Sequence, residues 1–131
     1  MRIDAERGAG PIITGFSRSE VSGGGFKVEA GSFKGVYRAL TISPDAVAEW
    51  SPPPLDMIGA DALAALLAID PRPEFLLLGT GATMQRPPPA FVRAVEALGI
   101  GVEAMDSRAA ARAWAVLRGE GRWVVGALYP L

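Results

Sequence analysis

The chain contains no cysteine and no histidine. The first absence excludes disulfide staples, zinc ribbons and thiol nucleophiles, and the second excludes imidazole bases and His-ligated metals. Most side-chain sets used for hydrolysis and metal-dependent chemistry are thereby removed. An excess of charge of one sign is also lacking, since 13 basic residues face 14 acidic ones. Nothing in that balance recommends nucleic acid as a partner, and no lysine–arginine run recommends an anionic membrane surface. Long apolar runs are missing too, all falling far short of the roughly 20 residues that span a bilayer. The opening MRIDAERG lacks the basic-then-apolar profile of a signal peptide. The expectation is a cytoplasmic protein with no transmembrane segment.

What is present suits a single soluble domain. The 131 residues are half apolar and 21% charged, enough to bury a core. Residues 1–10 are polar and without periodicity, which reads as a frayed start. Ile12 to Phe16 reads as a short strand, and Gly23-Gly24-Gly25 as a turn. Phe26 to Ala30 alternates apolar and polar as a strand with one solvated face does. Phe33 to Ile42 continues in β-prone residues, placing Val36, Leu40 and Ile42 on one face with Arg38 interrupting it. The amino-terminal third therefore reads as an antiparallel meander. Ala46 to Trp50 fits one helical turn or a short strand equally well. Ser51-Pro52-Pro53-Pro54 reads as a stiff connector.

From Asp61 the pattern changes. Ala62 to Ile69 is strongly helix-forming, with Asp61 as its cap or first-turn acid, and Pro71 and Pro73 stop it. Phe75-Leu76-Leu77-Leu78 shows no polar alternation and reads as a strand buried on both faces. Pro87 to Pro89 pre-set a helix carrying Phe91, Val95 and Leu98 on one stripe, with Gly99 as its left-handed stop. Gly101 to Met105 is the next strand. Asp106 or Ser107 then caps a helix to about Arg118, with Ala110, Trp114 and Leu117 inward. Gly119-Glu120-Gly121 turns into a last strand, Arg122 to Leu128. This β-α-β-α-β half predicts right-handed crossovers in a parallel or mixed sheet.

Several of these segments, in this order, carry a resemblance. They are Gly79-Thr80-Gly81 after an apolar strand, Arg86 five residues later, LGIGVEAMDS at 98–107, Glu120-Gly121-Arg122, and GALYP at 126–130. Ile13-Thr14-Gly15-Phe16, Gly35, the Pro44-to-Trp50 stretch and the helix before Pro71 extend it forward. The chain resembles the small α/β, Mth938-like domain family of mitochondrial respiratory complex I assembly factors and their uncharacterised bacterial and archaeal relatives. The likeness spans about residues 10–131. It implies a three-layer β/β/α single domain, 1–131, in which the meander packs beside a mixed sheet with helices. It implies protein partners, among them membrane-complex subunits or insertion machinery, and no established catalysis or cofactor. Where the family often has a Thr-aromatic-Asn set in the last helix, this chain has Ala113-Trp114-Ala115, so a site built on those polar neighbours is in doubt.

The residues alone offer one candidate site. Ligands of open α/β sheets collect beyond the carboxyl ends of parallel strands, here Gly79-Thr80-Gly81 and Met105-Asp106-Ser107. Thr80, Thr83 and Ser107 bring hydroxyls, and Arg86 and Arg108 bring guanidinium groups suited to a carboxylate or phosphate. A small-anion cradle at Gly79, Thr80, Gly81, Thr83, Arg86, Ser107 and Arg108 is one reading. The other, and the favoured one, is a corner at which the glycines permit close backbone approach. Gly-Thr-Gly lacks the third glycine of a dinucleotide fingerprint and the Gly-Lys-Ser/Thr of a P-loop, and three prolines strip donors from the following helix start. For Arg86, a carboxylate pair bracing the loop is preferred over a ligand. Trp50, Glu120 and Arg122 are candidates for contact with a partner protein. Against that, Trp50 is also placed to pack the two halves together, and Glu120-Gly121-Arg122 to form a tight turn. A Glu103–Asp106 acid/base pair is disfavoured, because Asp106 has a capping role ready. No catalytic residue, metal site or cofactor is assigned.

Overall fold

Residues 10–18 and 24–131 are described by a computed structural model of the chain. The expectations of a frayed start at residues 1–9 and of a turn at Gly23 lie outside the described residues. Strands β1 (Ile12–Ser17), β2 (Gly25–Ala30) and β3 (Phe33–Tyr37) form an antiparallel meander in that order. β4 (Leu40–Ile42) and β5 (Val47–Glu49) enter a second sheet. Two 3-10 turns, Leu55–Met57 and Ala60–Leu63, and the short helix α1 (Ala64–Leu67) lead to β6 (Phe75–Gly79). Helix α2 (Pro89–Glu96), β7 (Gly101–Met105), helix α3 (Ser107–Gly119) and β8 (Val125–Leu128) complete the chain. The second sheet has the order β5-β4-β8-β6-β7, with β6 parallel to β7 and β8, and β4 antiparallel to β8. The chain is thus the α/β domain expected, a meander beside a mixed sheet. No helix among the described residues is long and apolar enough to cross a membrane.

Strand alternation splits the core in two. Leu77 of β6 joins Leu40, Ile42 and Leu128 on one face of the mixed sheet, packed against Phe26 and Val28 of the meander and Ala110, Ala111 and Trp114 of α3. Leu76 and Leu78 join Val125 and Ala127 on the other face, covered by Ile58, Leu63, Leu67, Phe91 and Val95. The meander and α3 therefore form one outer layer, and the 3-10 turns with α1 and α2 form the opposite one. Each leucine of β6 from Leu76 to Leu78 is essentially inaccessible, a burial that contributes about 1.5–3 kcal/mol per side chain. The Trp114 indole N–H donates to the Pro11 carbonyl at 3.1 Å, which ties the start of the meander to α3.

Four local expectations are corrected. Phe33 to Ile42 is not one strand: the chain changes sheets at Arg38-Ala39, so Val36 is 56% exposed while Leu40 and Ile42 are sealed. Both halves read as β-prone, and the pairing of β4 with β8 and β5 separates them. The helix expected from Asp61 begins as 3-10 after Gly59, where Asp61 is the first-turn acid, one of its two expected roles, and makes no side-chain cap. Leu98 falls beyond the end of α2 and is 47% exposed. The last strand starts at Val125 rather than Arg122. The segment Val47–Glu49, open between helix and strand, is a strand because β4 supplies its partner. Gly99 stops α2 with φ +83, and Asp106 caps α3 by accepting from the Ala109 amide at 2.9 Å.

Replacing Trp114 with Phe keeps an aromatic ring but orphans the buried Pro11 carbonyl. The expected cost is about 2 kcal/mol or slightly more, read as a lowered urea midpoint followed by circular dichroism.

Candidate functional site

At the carboxyl ends of β6 and β7 the polar groups are turned on one another. The fully buried Ser107 hydroxyl donates to the Tyr129 carbonyl at 2.7 Å and accepts from the Gly81 amide at 2.9 Å. The Ser107 amide donates to Gly81 O, Thr80 N to Met105 O, and Tyr129 N to Gly79 O. Thr80 is as internal: its hydroxyl donates to Thr83 O at 2.8 Å, lies 3.2 Å from Met105 O, and accepts from the Gln85 amide. At the start of α3, the Ala109 and Ala110 amides go to Asp106. Gly79 is glycine for a steric reason, since a Cβ there would stand 2.8 Å from Ser107 Oγ and 3.0 Å from Leu128 Cγ. Gly81 adopts φ +111, a conformation that disfavours a side chain. Gly79, Thr80, Gly81 and Ser107 are therefore brought together as a corner whose donors are taken inside the fold.

The two arginines of the candidate cradle are placed otherwise. Arg86 is exposed, and no carboxylate among the described residues pairs with its guanidinium to brace the loop as expected. Thr83 offers its carbonyl to Thr80 and is exposed. Arg108 turns to β1, where its guanidinium carbon lies 4.8 Å from the centroid of the Phe16 ring, and Arg112 reaches the same ring at 6.0 Å.

A second cluster forms at the same end of the sheet. Trp50 meets Tyr129 edge-on, with centroids 5.0 Å apart, and the Tyr129 hydroxyl donates to Pro53 O at 2.7 Å. Trp50 thus packs the proline connector onto the sheet, one of the two roles expected of it. Burial, and after it the neighbouring Asp56 carboxylate, push the Tyr129 phenol up to about 12. Tyr129 escaped notice as a functional side chain, although it lies in the GALYP segment; the signal was a tyrosine one residue beyond a fully buried strand, which needs a hydroxyl partner.

Glu120 and Arg122 flank the tight turn expected of them, with Gly121 at φ +72. Arg122 makes hydrogen bonds of 3.1 and 2.8 Å to Glu74 Oε1 and an ion pair of 3.9 Å to Glu120. That hydrogen bonding holds the Glu74 carboxyl below its ordinary value and raises Arg122. Both groups are exposed, so the pair fixes the approach to β8 more than it stabilises the whole.

The corner, the mixed sheet and the meander together define a known class of domain. The chain belongs to the family described as protein of unknown function (DUF498/DUF598), which matches residues 19–129. It is 38% identical over 92 residues to an uncharacterised protein of Rhodobacter capsulatus, covering 70% of this chain and 68% of that one. It is 27% identical over 128 residues to the zebrafish (Danio rerio) NADH dehydrogenase (ubiquinone) 1 alpha subcomplex assembly factor 3, covering 98% of this chain and 69% of that one. Among solved structures, a Bordetella parapertussis protein superposes with a TM-score of 0.75 at 35% identity, covering 94% of this chain and 98% of that one. A Bordetella pertussis Mth938-like domain superposes at 0.64 with 32% identity, covering 81% and 80%. The resemblance read from the sequence is borne out.

Two outcomes test the corner. Ser107→Ala leaves a buried amide and a buried carbonyl unpaired and is expected to lower stability by about 2–4 kcal/mol in urea titration. Arg86→Ala is expected within about 0.5 kcal/mol of the parent. The Tyr129 shift also sets a sign. Its folded value lies above the free value of about 10, so the neutral phenol's contribution is full below pH 10 and is lost as pH rises through about 12. Phenolate absorbance of the folded chain should therefore show one tyrosine ionising late, and Tyr129→Phe should remove that late step.

Proposed function

We propose that the chain is a non-enzymatic binding module that assists the assembly of a respiratory or other membrane protein complex, acting from the cytoplasm. The observation that carries this reading is its kinship, along 98% of its length, with an assembly factor for NADH dehydrogenase. The chemistry of the chain supports it. Cysteine and histidine are absent from the sequence, and at the usual ligand position of the sheet the Thr80 and Ser107 hydroxyls and the Gly81 amide are already bonded within the fold. Met57 is 72% exposed and Met84 56% exposed. Met57 ends the 3-10 turn that follows the proline connector, and Met84 lies in the loop after β6. Unbranched thioethers adapt to a partner's shape and are favoured at protein-docking surfaces. A subunit or an insertion factor is the expected partner.

Deleting the gene in the native host should deplete an assembled membrane complex on native gels. The wild-type chain should restore it, and Met57→Asp/Met84→Asp should not, at equal protein level. Normal assembly of every membrane complex without the gene removes this reading.

A further inference from the structure

We propose that Arg108 and Arg112, held on the Phe16 ring, form a docking site for an acidic segment of a partner protein at the seam between α3 and β1. The site is separate from the methionine surface and does not depend on the assembly role. Its platform is anchored: the Phe16 ring lies 6.2 Å from that of Phe26, which is wholly buried beneath it. Arg108 and Arg112 stand one helical turn apart and share that ring at 4.8 and 6.0 Å. Beyond the ring, neither guanidinium has an ion pair or side-chain hydrogen bond with a described residue. A guanidinium that meets an aromatic ring keeps its N–H edge for a planar, bidentate acceptor such as a carboxylate.

The charge pattern points the same way. Helix α3, SRAAARAWAVLRG, contains three arginines and no acid. Asp106 at its cap is already bonded to the Ala109 amide. Like charges one turn apart repel by a few tenths of a kcal/mol, and no carboxylate of the helix offsets them. An anionic partner removes that repulsion.

The shape beside the arginines narrows the ligand. A groove of about 230 Å³ runs along the seam, with Ile13, Thr14, Phe16, Ala111, Arg112 and Ala115 in its walls. That is below the roughly 300–1,000 Å³ of pockets that enclose a small organic ligand, and it accommodates one apolar side chain. The structure therefore suits an extended segment with an apolar residue next to carboxylates, better than a free metabolite.

The test is a titration of the ¹⁵N-labelled full chain with a capped peptide of alternating Glu and Leu, followed by amide and arginine Nε–Hε shifts. The expected result is saturable shifts at the Arg108 and Arg112 side chains and at the amides of Thr14 to Phe16 and Ala111. Added salt should weaken binding, and a Lys–Leu peptide of the same length should not bind. Arg108→Gln/Arg112→Gln, at two exposed positions, should keep the folded amide spectrum and bind about tenfold more weakly. Absent shifts, shifts mapping elsewhere, or unchanged affinity in the double variant overturn the proposal. So does inorganic phosphate moving the same signals as strongly as the peptide, since that marks a small-anion site.

Discussion

One buried hydroxyl organises the carboxyl end of the sheet. Ser107 Oγ accepts a hydrogen bond from the Gly81 amide and donates one to the Tyr129 carbonyl, so a single side chain joins the exit of β6, the start of α3 and the exit of β8. A buried hydroxyl with both functions satisfied stabilises modestly, but loss of either bond strands a backbone group away from water. The arrangement requires that position 79 have no side chain, because Ser107 occupies the space a Cβ would need. It also sets Tyr129, whose phenol reaches Pro53 and whose ring receives Trp50. The proline connector is thereby fixed to the same corner as the glycine loop.

From that corner the rest follows by alternation. Each residue of β6 commits its neighbours to opposite faces, so both faces of the mixed sheet are apolar and both need cover. Helices α1 and α2 and the 3-10 turns supply one layer. The other is shared between the meander and α3, with Trp114 at the join. Covering both sides of the sheet still leaves apolar side chains outside: among the described residues Met57 is the most exposed of these, with Met84, Val36 and Val116 also more than half exposed.

The functional reading rests on where donors and charges are left over. The Thr80 and Ser107 hydroxyls and the Thr80, Gly81 and Ser107 amides are bonded inside the fold, where they join the strand ends to one another. Groups that remain available on the outside include the thioethers of Met57 and Met84, the guanidinium of Arg86, and two guanidiniums on an aromatic platform along α3. Under the proposed function, these groups serve contact with another macromolecule. They also fit a family that contains an assembly factor.

The sequence by itself determined the elements whose signals are local. Apolar Phe75 to Leu78 made a buried strand, Asp106 or Ser107 marked the start of α3, Gly99 ended α2, and the missing cysteine and histidine removed whole classes of chemistry. The order of its short segments also carried the family. Tertiary structure decided what depends on partners distant in the chain. Phe33 to Ile42 looks uniform along its length, yet β8 draws its second half into the other sheet. Arg108 looks like part of an anion cradle beside Ser107, yet Phe16 holds it. The hydroxyls of Ser107 and Thr80 look like ligands' donors, yet the Tyr129 and Thr83 carbonyls occupy them. Helical period, capping and turn chemistry act within a few residues and are written there. The occupancy of a donor or a charge is set by whichever group the fold brings beside it.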